Sequence, residues 1–325
     1  MNIIESIEKY LESVKLARSH HTHHAYKNAM NNFIITLGKN GVNPQTTSSR
    51  ELNEEAIVWF ANDLKIYTPT SEQLYITAVK GFYEFLAAEN LNNVNLPKLK
   101  LLIRQRTRRP GKRLPQFPAN AISNLIENML NKNIISNPID PNEILRELRD
   151  RAFLVTLADT GLRVHEACAL RLGSIDWNEG KAIVIGKGDK QAIIRFSQRS
   201  LKTLREYIDE RGKQFKEAHR QISAEPLFAR HDKGAGKKIK PITPTTGRNI
   251  VAERVREVFG LEAVGKITPH SFRHFFVTRI LSSTGNLKLA QSLARHQNIA
   301  VTQRYAHLSD DELDKGYINV FDSKG

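Results

Sequence analysis

Six residues in the second half of the chain are of the types that phosphodiester chemistry needs. Arg163 lies in GLRVHEACAL, Lys187 in GKGDK, His270 and Arg273 in HSFRH, and His296 and Tyr305 in RHQNIAVTQRYAH. Two arginines, a lysine and two histidines form a set of donors for an anionic phosphate. A tyrosine hydroxyl is a nucleophile that can hold that phosphate covalently. A phenol with an ordinary pKa of about 10 needs cationic surroundings to attack phosphorus, and the other five residues would supply them.

Taken singly, each segment also has an ordinary structural explanation. Gly161 permits a turn between two helical patterns. An arginine at the start of the second can face a phosphate beside free backbone N–H groups. Glu166, three residues on, shares a helix face with Arg163 and can hold its guanidinium, but an Arg–Glu surface pair reads the same way. Lys187 enters a turn from a strand, with Lys190 as its rival in that turn; both also read as plain surface lysines. His270 and Arg273 share a helix face, and Pro269 suits a helix start. His274 follows Arg273 directly and is expected to point elsewhere. Gln297-Asn298 marks a turn between His296 and Tyr305, and a tyrosine near a terminus is commonly packing.

These residues need a scaffold, and composition bounds it. The 325 residues suffice for two domains with their own cores. The hydrophobic fraction of 40% is well above that of a disordered chain. A net charge of +15 and a pI near 9.8 call for a polyanionic partner; a ribosome-like surface or an anionic membrane would satisfy the same charge. No apolar run approaches the roughly 18 residues that span a bilayer, and no signal sequence opens the chain. The single cysteine, Cys168, has no internal disulfide partner, fits a reducing cytoplasm, and is read as core.

Residues 2–100 carry four amphipathic helical patterns, 3–17, 22–37, 51–65 and 70–89, expected to form a small bundle. Gly38 is placed to end the second, and Leu74, Ala78, Val79, Phe82 and Phe85 are the expected inner stripe of the fourth. His20, His21, His23 and His24 open the second pattern. His20 and His24 have the spacing of a metal pair, but nothing nearby completes a site, so a solvated or phosphate-contacting helix start is expected. The stretch 104–118 holds Arg104, Arg106, Arg108, Arg109, Lys112 and Arg113, three prolines and no acid. It is read as a linker tracking phosphates rather than a merely solvated one. Beyond it lie helical patterns at 119–131, 143–159, 198–218, 244–258, 269–283, 286–295 and 299–305. A β-hairpin is expected from 181–187 and 191–197, and PLFAR (226–230) reads as a short strand. A second basic loop, 231–243, contains Lys233, Lys237, Lys238 and Lys240.

Jointly, the chemical segments resemble those of the tyrosine recombinases, or phage integrase family, and look most like its compact chromosome-dimer-resolving members. Arg163 with Glu166 fits the family's GLR-x-x-E box, Lys187 its hairpin GKG, and His270 with Arg273 its H-x-x-R. His296 is the later histidine, and Tyr305 follows it at the family's nine-residue spacing. The resemblance extends into the N-terminal helices, around Thr22, Ala25-Tyr26 and Ala78–Leu86. One departure is Ala294-Arg295-His296 where the family has Leu-Gly-His, which adds a charge at that turn.

The resemblance implies a mainly α fold with a small β component (α+β), arranged as a two-domain DNA clamp. Residues 1–103 would be a helical core-binding domain, 104–118 the linker, and 119–325 the catalytic domain. The chain would begin at the core-binding helices, without the extra domain by which some phage integrases hold distant arm sites. Tyr305 would form a 3′-phosphotyrosine. Arg163 and Arg273 would clamp the phosphate, His296 donate to it, Lys187 protonate the leaving oxygen, and His270 take the tyrosine proton. The resemblance implies no ATP, metal or other cofactor. It implies duplex DNA with paired half-sites as substrate and a tetramer, of this chain or with a related recombinase, as the working form. Cytoplasmic, nucleoid-associated action follows. A type IB topoisomerase and a catalytically silent DNA-binding regulator are the competing expectations. The tail 308–325 has a capping-box pattern at Ser309 and Glu312 and apolar residues beyond it. It is expected to dock on a neighbouring protomer rather than on its own domain.

Overall fold

The computed structural model describes residues 1–108, 119–132, 140–186, 191–214, 222–232, 234, 239–296 and 298–303. The chain forms two compact units, Met1–Arg113 and Leu114–Gly325.

The first unit is a five-helix bundle: α1 (Ile3–Ala17), α2 (His20–Lys39), α3 (Glu55–Asp63), α4 (Pro69–Ala88) and α5 (Leu96–Arg106). Local chemistry sets most of these starts. The Asn2 side chain accepts from the Glu5 backbone N–H while Glu5 returns the bond to Asn2. Ser19 and Thr68 cap α2 and α4. Ile7, Phe33, Phe60, Phe82, Tyr83 and Leu99 fill one core. The inner face of α4 runs through Ile76, Val79, Phe82, Tyr83 and Leu86, whereas Leu74 is 43% exposed, contrary to the expected stripe. Gly38 does not end α2; the helix continues to Lys39, and the left-handed residue is Gly41.

Helix α5 is absent from the sequence reading, because its lysines and arginines mask its apolar face. Its last turn carries Arg104 and Arg106, so the basic stretch begins as helix rather than linker. Buried Glu72 then anchors the chain after α5. It accepts from the Arg108 backbone N–H at 2.9 Å, from Arg108 Nε at 2.6 Å and from Lys65 Nζ at 2.7 Å. Burial alone would raise the Glu72 carboxyl; Lys65 and Arg108 outweigh it and hold it low.

The second unit contains α6 (Ala119–Asn131), α7 (Pro141–Thr160) and α8 (Val164–Ala169), then an antiparallel sheet. In the sheet, β1 (Ile175–Asp176) pairs with β2 (Lys181–Ile185), which pairs with β3 (Gln191–Arg195). The β2–β3 register runs from Lys181↔Arg195 to Ile185↔Gln191, so the connection containing Lys187 closes a hairpin. Helices α9 (Gln198–Gln214), α10 (Pro244–Phe259), α11 (Pro269–Thr284), α12 (Leu287–Ala294) and α13 (Ile299–Gln303) complete the unit. Helix α7 is buried nearly all round from Leu148 to Thr160, the mark of a central helix. PLFAR makes only isolated bridges, Arg171↔Pro226 and Ala229↔Pro241, so it is not a strand. Cys168 is in the core, and burial pushes its thiol up to about 12. Among the described residues, no helix is long and apolar enough to cross a membrane.

Candidate active site

Three helix boundaries build the site: the end of α7 with the start of α8, the first turns of α11, and the turn after α12. Gly161 ends α7 with φ +60°, and an added Cβ would lie 2.4 Å from Phe276 Cδ1. Glycine is therefore required there by conformation and by space alike. The tight turn leaves Arg163 in extended backbone at the N-cap of α8.

Glu166 fixes that arginine as the sequence anticipated. Its Oε1 accepts from Arg163 Nη1 at 3.0 Å, and its Oε2 accepts from the Arg163 backbone N–H at 2.8 Å. Burial would raise the Glu166 carboxyl, but the Arg163 N–H and the nearby guanidiniums of Arg295 and Arg163 hold it below the usual carboxylate range. The Arg163 side chain remains 42% exposed while that of Glu166 is 1% exposed.

Helix α11 begins at Pro269 behind Thr268, whose backbone N–H donates to Ser271 Oγ. Arg273 is buried one turn in. Its Nη1 donates to Gly161 O and its Nη2 to Ala294 O, so one guanidinium ties the end of α7 to the end of α12. His270 and His274 stack edge to face with ring centroids 4.2 Å apart. This corrects the expectation that His274 points elsewhere. Four-residue spacing keeps it on the face of His270, and that spacing was readable from the sequence.

The turn after α12 carries Arg295 and His296. Arg295 has φ +57° and ψ +41°, left-handed without being glycine, at a cost of about 1 kcal/mol. It places Nη2 2.9 Å from Glu166 Oε2. His296 Nδ1 lies 2.9 Å from Thr302 Oγ1 of α13, and Gln291 Nε2 donates to the His296 carbonyl. Thr302 drew no notice in the sequence, since a threonine three residues before a tyrosine carries no signal of its own.

The histidines are held neutral. Burial, then Arg273, Arg163, His270 and Arg295, lower His296 to about 4. Burial, then His270, Arg273 and His296, lower His274 to about 4. Burial, then Arg273 and Arg163, lower His270. Apart from burial, every influence is a nearby cation or imidazole, so the site repels further protons and favours an anion.

The structure thus gathers Arg163, Glu166, His270, Arg273 and His296, and adds His274 and Arg295. Lys187 with its rival Lys190, Tyr305, the tail 308–325, and the DNA-binding candidates Arg109, Lys112, Arg113, Lys237 and Lys238 lie outside the described residues. Arg104 and Arg106 are exposed on α5. Arg108 is committed to Glu72 and to Tyr67 O, a placement in which its guanidinium serves the first unit. Among the described residues, no group of three histidine, cysteine or acidic side chains is placed to hold a metal, the histidines of α2 included.

Residues 125–312 match the phage integrase family. The chain is 27% identical to the tyrosine recombinase XerC of Staphylococcus epidermidis, covering 98% of this chain and 97% of that protein. It is 29% identical to the XerC of Pediococcus pentosaceus, over 78% of this chain and 76% of the relative. Its fold is similar to that of the Tn1549 transposon integrase solved with transposon right end DNA, with TM-score 0.69, 17% identity, and 99% and 100% of the two chains covered. It is also similar to the XerH site-specific recombinase bound to a palindromic difH substrate, with TM-score 0.69, 17% identity, and 96% and 83% covered.

Proposed function

Because the chain belongs to the phage integrase family of tyrosine recombinases, we propose that it is a site-specific recombinase. It cuts and rejoins duplex DNA through a 3′-phosphotyrosyl intermediate, in integration, excision or dimer resolution. The observation that carries this is the tie made by Arg273. One buried guanidinium bonds the carbonyls of Gly161 and Ala294, which ties together the segments that carry Arg163 and His296 and supports their acting on one anion.

In this reading Arg163 and Arg273 hold the two non-bridging oxygens of the scissile phosphate and stabilise the charge that grows there. With the Thr302 hydroxyl donating to His296 Nδ1, the ring proton sits on Nε2, ready to donate to a phosphate oxygen. His270, held neutral by burial and then by Arg273 and Arg163, accepts the Tyr305 proton as the phenolate attacks phosphorus. The P–O5′ bond breaks, and Lys187 protonates the leaving oxygen. A partner strand's 5′-hydroxyl then reverses the step. Fixed cations carry the electrostatic load, so the reaction is assigned no ATP and no metal requirement.

We assign residues 1–106, through the end of α5, to core binding, 107–118 to the linker and 119–325 to catalysis, with both units binding duplex DNA. Arg104, Arg106 and the cations of 109–113 and 237–238 follow the phosphates. A tetramer on paired half-sites, joined through the tail 308–325, is the working form, in the cytoplasm on the nucleoid.

The test is a nicked suicide substrate. Wild-type chain gives a covalent protein–DNA adduct with excess chelator present. Tyr305→Phe gives none, yet binds the half-site within about twofold of wild type, because affinity rests on dispersed phosphate contacts. No adduct from the wild-type chain, or an adduct from Tyr305→Phe, overturns the assignment.

A further inference from the structure

Arg295 sits in a left-handed turn that glycine fills with less strain, and its side chain spends that strain on one contact. Its Nη2 donates to Glu166 Oε2. Arg163 holds the same carboxylate through Nη1 on Oε1 and through its backbone N–H on Oε2. One buried carboxylate thereby joins the start of α8 to the turn that carries His296, across 129 positions of sequence. Arg273 joins the same two segments through carbonyls. Among the described residues the Arg295 Nε is buried without a hydrogen-bond partner, an unfavourable polar burial that the Glu166 contact offsets. Strain, an orphaned donor and an ion pair to Glu166 all meet in Arg295.

We propose that Arg295 is a positioning residue: acting through Glu166, it fixes His296 in register with Arg163, so that both donors meet one phosphate together. This rests on the recombinase reading above. Two rival roles make different predictions. A residue that merely shapes the turn would be replaced by glycine without loss. A direct DNA contact would be lost as half-site affinity.

The variants are Arg295→Gly and Arg295→Lys, each also built on Glu166→Gln. The readouts are the single-turnover adduct rate on the nicked substrate and, separately, half-site affinity. Arg295→Gly is expected to melt no lower than wild type and to bind within about twofold, yet to form adduct about tenfold more slowly, the scale of a small misplacement of reacting groups. Arg295→Lys, which keeps a cation on Glu166, recovers most of the rate. On Glu166→Gln, Arg295→Gly has no further effect, because the path between the two segments is already broken. A wild-type rate for Arg295→Gly, a loss confined to affinity, or an equal loss in both backgrounds each overturns the proposal. Should Glu166→Gln not fold, recovery by Arg295→Lys decides. A second readout needs no DNA. In the labelled free protein, Arg295→Gly shifts the guanidinium resonances of Arg163 together with the ring resonances of His296, and an unmoved Arg163 overturns the proposal even if the chain makes no adduct.

Discussion

Two clusters in the second unit are built from the same parts and differ in their balance. Between α7 and α10, Asp150 lies against Arg149 at 2.7 Å and Arg254 at 2.7 Å, and Arg254 also reaches Glu147 and Glu257. Three carboxylates there meet two guanidiniums and the ammonium of Lys132, which pairs with Glu147 at 2.8 Å, and Arg149, Asp150 and Arg254 are all buried. At the start of α8, one carboxylate, Glu166, meets Arg163 and Arg295, with Arg273 close by on the carbonyl of Gly161. The first cluster has its guanidiniums buried and matched by carboxylates, and holds elements together. The second is short of negative charge and leaves Arg163 partly exposed, so it is open to an anion. Ion pairing by itself does not separate scaffold from site; charge balance and exposure do.

The largest expected effect tests the first cluster. Arg254→Ala removes one of the two guanidiniums on buried Asp150 and leaves Arg149 as the other, and it should cost about 3 kcal/mol of unfolding free energy, read by denaturant titration. The adduct rate per folded molecule should stay at the wild-type value, and a rate loss exceeding the loss of folded protein would blur the distinction between the clusters. Next, Glu166→Gln removes the carboxylate that, among the described residues, pairs with both Arg163 and Arg295. It should slow adduct formation about a hundredfold, equivalent to about 2.7 kcal/mol, while destabilising less than Arg254→Ala. The reverse ranking in a melting experiment would make Glu166 a scaffold residue.

The smallest effect concerns the histidines. Their folded pKa values lie below the ordinary 6.5, so the unfolded chain takes up protons first as pH falls. Stability is therefore lost between about pH 6.5 and pH 4. After allowance for solvent screening of half-buried rings, His296 should contribute a loss of about 0.5–1 kcal/mol at about pH 5.5. A melting series from neutral to acid pH should flatten in His296→Asn, and an unchanged slope would mean that the cations do not set the protonation of this ring.

Much of this was readable in advance because it is periodic or local. The stripe of α1, the helical pattern of α7, the hairpin of β2 and β3, and the turn at Gly161 depend on neighbours in sequence. The pairing of Arg163 with Glu166 is likewise a three-residue relation. What escaped was of two kinds. Helix α5 failed as a pattern because Lys98, Lys100, Arg104 and Arg106 interrupt its leucines, and only the core behind Leu99 makes it helical. Arg295 was legible as a departure at a turn, but its partner lies 129 residues away, and no spacing rule spans that distance. His274 follows Arg273 directly, yet its four-residue spacing from His270 decides its direction and brings the two rings together.

Gly161 and Gly285 share a backbone angle, φ +60°, at the ends of α7 and α11. Nothing lies within 4 Å of a side chain added at Gly285, while one added at Gly161 meets the ring of Phe276. In a saturating library selected for recombination, these twin positions should therefore diverge. Position 285 should tolerate asparagine, which visits this conformation readily. Position 161 should return glycine alone, because any larger residue must displace the ring and the carbonyl that Arg273 grips. Mutational tolerance at a helix end is thus set by what stands opposite it as well as by the dihedral angle.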